Sequence, residues 1–397
     1  MSKDATRFEW VQTQTADEHA LAGGNATQTS PRSDRLAAGS LDVREPRAWR
    51  SRVDSTGGVG PDPSSGRSND GAASLDESRI RFRFRADGPT ETALTVHGGT
   101  AYLGCANGCT HAIDADDGTE EWSFHAGSRV TAPTVGDGTV YAGTNGGTVV
   151  ALDGETGVPR WEYATTGGVQ AAPSAADGTV FVAADDGRVT ALHEADGSRL
   201  RTFSNAARAL CALEVDDERL LLASLDGGAY ARGRIDGRER WRFEPSIAVR
   251  GAPATDGDVA YVGTVDGGRV YAVSAVTGRE RWRADLSASV WGSPTVADGL
   301  VYAGCDDGVV HALDAETGTE RWRTDVGGRI WASPTVVDGI VLAATDAGDV
   351  CAIDGESGTV LWWYRATDAV IAPVTVTDAT AYVADCGGVV TALSLSR

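Results

Sequence analysis

The chain has 397 residues, with 35 basic and 56 acidic side chains and a formal net charge of −21. A charge of that sign repels phosphate, which excludes sequence-independent nucleic-acid binding and docking on an anionic membrane surface. Fifty glycines without a Gly-X-Y period exclude collagen and suit a protein built of many tight turns.

Residues 1–78 differ from the rest. They are rich in Ser, Thr, Asp, Arg and Gly, and carry twelve acids against nine bases. Such a composition predicts a disordered polar segment ahead of a folded region at 79–397. Lys3 is the only lysine, and an acidic chain whose bases are otherwise all arginine is halophile-like, net charge keeping it soluble in salt. The first residues show no basic region before an apolar stretch, no twin arginine and no lipobox-like cysteine. No apolar run nears the ~18 residues of a membrane span. The expectation is a cytoplasmic monomer with no membrane span, or an exported one if the true start lies upstream.

From Arg79 the chain repeats. An Ala/Ser-Pro pair places Pro at 133, 173, 253, 294, 334 and 373, with Leu94 and Leu213 in the same phase. That makes eight repeats at spacings of 39 to 41 residues. Trp recurs at 122, 161, 241, 282, 322 and 362, and Arg201 replaces it once. A Gly stands four residues before each of these positions. Blades of four-stranded propellers run at this length.

Within one repeat, period-2 alternation and Asp-Gly-type turns predict four strands, A to D: 333–337, 340–345, 349–354 and 359–365. The last repeat, from Ala372, has material for A, B and C only. Ile80-Arg-Phe-Arg-Phe matches the D pattern Glu239-Arg-Trp-Arg-Phe, with Phe82 in the Trp phase. The predicted fold is therefore all-β: an eight-bladed propeller of four-stranded antiparallel sheets, closed by an N-terminal strand that completes the last blade. The repeat at 193–250 departs most, with Leu213 for Pro, Arg201 for Trp and Gly233 for Asp, and is expected to be the least regular.

Ala151-Leu-Asp-Gly-Glu-Thr-Gly-Val-Pro-Arg-Trp161 and Ala312-Leu-Asp-Ala-Glu-Thr-Gly-Thr-Glu-Arg-Trp322 resemble the PQQ-type β-propeller repeat, over about 79–397. The resemblance implies an eight-bladed fold shared by BamB-like assembly proteins and quinoprotein alcohol dehydrogenases. It also implies, for the dehydrogenases, adjacent cysteines over a quinone, a calcium held by Glu and Asn, and a catalytic Asp. This sequence has no Cys-Cys pair.

The recurring Trp122, Trp161, Trp241, Trp282, Trp322 and Trp362 read as structural residues that dock neighbouring blades, since a ligand contact need not recur in every blade. The recurring Asp114, Asp153, Asp314 and Asp354 read as turn caps. Six scattered cysteines read as free thiols. Cys105, Cys109 and His111 offer three local metal ligands where zinc needs about four, so no metal is assigned. The face shared by D-to-A links and B-to-C turns is the candidate binding face. Its turns carry Asn107, Asn145, Asp185, Asp186, Asp226, Asp266, Asp306, Asp307, Asp346 and Asp385, an acidic rim. Three residues before each Pro phase stand Glu91, Val130, Gln170, Leu210, Arg250, Trp291, Trp331 and Val370, which vary from blade to blade. Arg129, Gln170, Arg250, Trp291, Arg329 and Trp331 are the candidate ligand or partner residues, Trp and Arg being common binding anchors. No catalytic residue is assigned. The leading reading is a non-catalytic binding scaffold without cofactor, taking a protein or small ligand at the channel mouth. A dehydrogenase using PQQ and calcium and a ligand-sensing domain are the alternatives.

Overall fold

The computed structural model describes residues 73–395, apart from 76, 205–209, 217, 226 and 246–247. The tail expected over 1–78 lies outside the described residues up to 72, as does Asp226. The described residues form eight sheets, blades 1 to 8 in the chain order of their innermost strands, which start at Thr95, Thr134, Ser174, Leu210, Ala254, Thr295, Thr335 and Thr375. Blade 7 shows the repeat: Thr335–Val337, Ile340–Ala344, Asp349–Asp354 and Val360–Arg365, paired antiparallel in order. The two middle strands of a blade are covered by blades on both sides, so they read as apolar runs. The outer strand alternates, as in Glu120–His125, where Trp122 is buried between exposed neighbours.

Ile80–Arg85 pairs antiparallel with Val389–Ser394, matching Phe82 with Ala392, and completes blade 8. Ala73–Ser74 adds a fifth strand, parallel to Val360–Arg365 of blade 7. The innermost strands are stitched blade to blade by hydroxyls. Thr95 Oγ1 donates to Pro133 O (2.6 Å), Thr295 to Pro334 O (2.6 Å), Thr335 to Val374 O (2.7 Å), and Thr375 to Leu94 O (2.7 Å), the last across the closure. The acceptor in blade 8 is Val374. Pro373 therefore stands one residue before the phase that its Ala-Pro pair suggests.

The recurring Trp lies against the next blade. Trp122 Nε1 donates to Gly154 O (2.9 Å), Trp161 to Glu194 O (2.8 Å), Trp241 to Ala275 O (2.7 Å), Trp282 to Ala315 O (3.0 Å) and Trp322 to Gly355 O (2.9 Å). The motif glycine of that next blade sits under the indole: a Cβ on Gly318, at φ +72°, would lie 2.5 Å from the Trp282 ring. Where Arg201 replaces Trp, Phe203 takes the place against Gly237, and Phe82 does so against Gly118. Blade 4 departs from the others at its inner strand, Leu210–Val215, which has six residues and a register shift where the other inner strands have three residues.

The recurring aspartates close their turns by Asx bonds. Asp153 Oδ1 accepts from the Thr156 N–H (2.9 Å) and Asp314 Oδ1 from the Thr317 N–H (2.9 Å). Hydrogen bonds from Arg160 and Arg321, with those from the threonines, hold both carboxyls down at about 2. A carboxyl depressed in the fold contributes stability above its unfolded pKa of ~3.9, and loses it as pH falls through the folded value. The melting temperature is therefore expected to fall between about pH 4 and pH 2. In a D153N/D314N variant, which lacks that contribution at neutral pH, the acid-induced fall in a thermal scan should be smaller.

Candidate functional site

The D-to-A links into blades 2 and 7 each thread between two B-to-C turns. Val130 N donates to Cys105 O of one turn (3.1 Å), while Arg129 O accepts from Asn145 N of the next (3.0 Å). Ile330 and Arg329 repeat this with Cys305 and Asp346. Links and turns thus share one face, and each link delivers the chain to an innermost strand. The residue that makes the link's N–H bond is buried: Val130, Val169, Val290, Ile330 and Val370. This corrects the expected rim positions at two blades. The link into blade 2 is one residue shorter, and Pro373 is early. Val130 and Val370 therefore pack inside the ring; in blade 8 the rim position falls on Ile371, and in blade 2 the shorter link leaves no rim residue, Thr131 being buried with its Oγ1 donating to Gly143 O (3.2 Å). Leu210 is already part of the blade 4 inner strand.

Arg250, Trp291 and Trp331, from three consecutive links, come together. The Arg250 guanidinium carbon stands 5.1 Å from the centre of the Trp291 ring. The Trp291 and Trp331 rings are 6.5 Å apart and inclined at 51°. The links approach closely because Gly251 and Gly292 follow the rim residues: a Cβ on Gly292 would lie 2.7 Å from Ser333 N. Trp331 Nε1 donates to Asp306 Oδ1 (2.8 Å), which anchors the second indole to a B-to-C turn. All three rim side chains are half-buried.

The other predicted residues do not join this cluster. Arg129 is paired with Glu91, with 10% and 18% of the two side chains exposed, so this pair is largely shielded from solvent. Gln170 is half-buried on the link into blade 3. Arg329 is exposed; its backbone N–H donates to Asp346 Oδ1 (2.9 Å). Burial pushes the Asp346 carboxyl up and the Asp306 charge adds to this, against the Arg329 N–H that favours the anion. The pairings Trp331–Asp306 and Arg129–Glu91 join residues 25 and 38 apart in sequence. Asp306 and Glu91 stand among the turn and link residues in the sequence, but nothing local there reveals which partner each meets.

The cysteines Cys105, Cys109, Cys305 and Cys386 are free thiols, and burial pushes Cys105, Cys305 and Cys386 up to about 12. No helix among the described residues is long and apolar enough to cross a membrane.

No curated protein matches the sequence. The fold is similar to BamB from Moraxella catarrhalis, at 18% identity and a TM-score of 0.69 over 79% of this chain and 98% of that one. It is similar to the computationally designed Ika8 protein, at 19% identity and a TM-score of 0.73 over 80% and 99% of the two chains. A europium-containing methanol dehydrogenase aligns at 15% identity and a TM-score of 0.65 over 77% of this chain and 84% of that one. These likenesses carry the fold alone. A family model described as outer membrane protein assembly factor BamB matches residues 112–242, 225–308 and 306–396. With its eight PQQ-type blades closed by an N-terminal strand, the chain belongs to that BamB-like propeller family.

Proposed function

We propose that this propeller is a non-catalytic binding module that takes a protein or peptide segment at its channel mouth. The observation that carries this reading is the Arg250–Trp291–Trp331 cluster, built from three variable links on a rigid repeated frame. Two indoles and a guanidinium give a large amphipathic contact area at low entropic cost, and half-burial leaves part of each for a partner. The family description, an assembly factor, supports partner binding as the mode of action. The acidic turns around the mouth favour a partner segment carrying basic residues.

The quinone-and-calcium alternative fits this mouth poorly. Glu91 is paired with Arg129, Asp306 accepts from Trp331, and Asp346 accepts from the Arg329 N–H, so these carboxylates already have donors.

The test is a peptide library selected on the full chain in salt, with intrinsic tryptophan fluorescence as readout. Bound peptides should be rich in Arg and Lys. Trp331→Ala, or Trp291→Ala, should weaken them at least about 30-fold, the ~2 kcal/mol of an anchor residue. Saturable quenching by PQQ with Ca²⁺, together with dye-linked alcohol oxidation, would overturn the proposal in favour of the dehydrogenase. Saturable small-molecule binding without turnover and without peptide selection would replace it by a sensing domain.

A further inference from the structure

On the face of links and turns, but at residues other than the Arg250–Trp291–Trp331 cluster, three groups of metal-ligating type converge where the link leaving the closure strand meets blade 1. The carboxylate of Asp87, the thiol of Cys109 and an imidazole nitrogen of His111 all lie within 4.8 Å of one another. Asp87 is exposed, Cys109 half-buried and His111 only 1% exposed. His111 Nδ1 is held by Glu120 Oε1 at 2.8 Å, and the Phe84 ring packs against the imidazole with centroids 5.6 Å apart and planes inclined at 64°. Nε2 is buried and has no hydrogen-bond partner among the described residues. A histidine oriented through one nitrogen by a carboxylate, with the other nitrogen left to a ligand, is the recurrent arrangement at protein metal sites.

The ring contains its own control, 200 residues on. His311 occupies the His111 position, and its Nδ1 is bonded to Glu320 at 2.7 Å. There Ser287 stands at the position of Asp87 and Val309 at that of Cys109. The Nε2 of His311 is satisfied by Ser287 Oγ at 3.1 Å. That bond shows where the nitrogen points: toward the position that Asp87 occupies in blade 1. The two sites share the oriented histidine and differ in the two residues that supply metal ligands. At the blade 6 site the repeat pattern satisfies the imidazole within the protein, and at the blade 1 site it leaves a buried acceptor or donor beside a thiol and a carboxylate.

We propose that Asp87, Cys109 and His111 bind one divalent ion of the zinc type. Thiolate, imidazole and carboxylate together suit zinc, whereas calcium and magnesium take oxygen ligands. Three protein ligands leave a fourth tetrahedral position for water. The ion ties the link that leaves the closure strand to blade 1, and so reinforces the seam at which the ring closes. Sequence reading stops at Cys105, Cys109 and His111. The fold turns Cys105 into the core and brings in Asp87 from the preceding link.

The experiment uses the full chain, reduced and stripped of metal, with Co²⁺ as the probe. One Co²⁺ per chain is expected, with a thiolate-to-cobalt charge-transfer band, tetrahedral visible bands, and displacement by Zn²⁺. Zinc should also raise the melting temperature, since an ion that binds only the folded chain stabilises it. Cys109→Val installs the blade 6 residue and should abolish the charge-transfer band. Asp87→Ser should weaken Co²⁺ binding at least 10-fold. If C109V lowers the melting temperature of the metal-free chain, C109S gives the same spectroscopic answer. A chain that shows no thiolate band overturns the proposal, and so does a band that survives loss of the Cys109 thiol. Both readouts are independent of the channel mouth, so failure here leaves the peptide-binding proposal standing, and the reverse holds.

Discussion

Gly318→Ala is expected to destabilise the chain by about 3 kcal/mol, while Gly299→Ala in the same blade costs only about 1 kcal/mol. Both glycines have nearly the same left-handed backbone, φ +72° and +76°. They differ in what a methyl group would meet. At Gly299 nothing lies within 4 Å, and at Gly318 the Trp282 ring lies 2.5 Å away. The Gly299 variant therefore measures backbone strain alone. The Gly318 variant adds the displacement of an indole whose Nε1 donates to Ala315 O. Denaturant unfolding of the two variants, with equal m-values, would read the difference. Equal losses would mean that the indole yields freely and that the Gly–Trp contact is not a determinant of blade docking.

Phe82→Ala is expected to cost about 3–4 kcal/mol, among the largest losses available to a single truncation in this ring. Phe82 is 8% exposed, packs in the core that joins blades 8 and 1, and fills the space over Gly118. It also anchors the strand that covers the edge of Val389–Ser394. Loosening that strand exposes the ladder of blade 8 at the one place where chain continuity does not hold the ring together. Beyond the lost stability, the variant should self-associate more readily, as light scattering would detect, because an uncovered edge pairs with other chains. A Phe82→Ala chain with wild-type stability would mean that the closure strand is held by its backbone pairing and not by the interblade core.

The acidic balance and the six rim candidates have different standing in this picture. The charge follows from composition and acts at long range, so it is legible without any fold. The rim is a matter of contacts. Three of the six candidates meet in one cluster, while Arg129 is largely shielded in a pair with Glu91 and Arg329 projects outward. The link residues Val130 and Val370, counted at the rim from the Pro spacing, prove to be core. A single residue of difference in link length moves a side chain from the mouth into the space between blades.

The frame is legible in the amino-acid sequence. A period of about 40 residues, a Gly four places before each Trp, turn-forming Asp and Gly pairs, and a D-like segment at Ile80 specify eight blades and their closure. The first three act within one hairpin or against the next blade, so local spacing reveals them; the closure is revealed because Ile80 onward matches the D pattern that the last repeat lacks. Which variable residues meet is set by the folded ring. The Trp331–Asp306 bond, the Arg250–Trp291 stack and the Asp87–Cys109–His111 group each join different links, turns or blades. Their partners are chosen by ring geometry and by one-residue changes in link length. Two histidines that look identical in the repeat, His111 and His311, end in different chemistry because the link before each blade supplies aspartate to one and serine to the other.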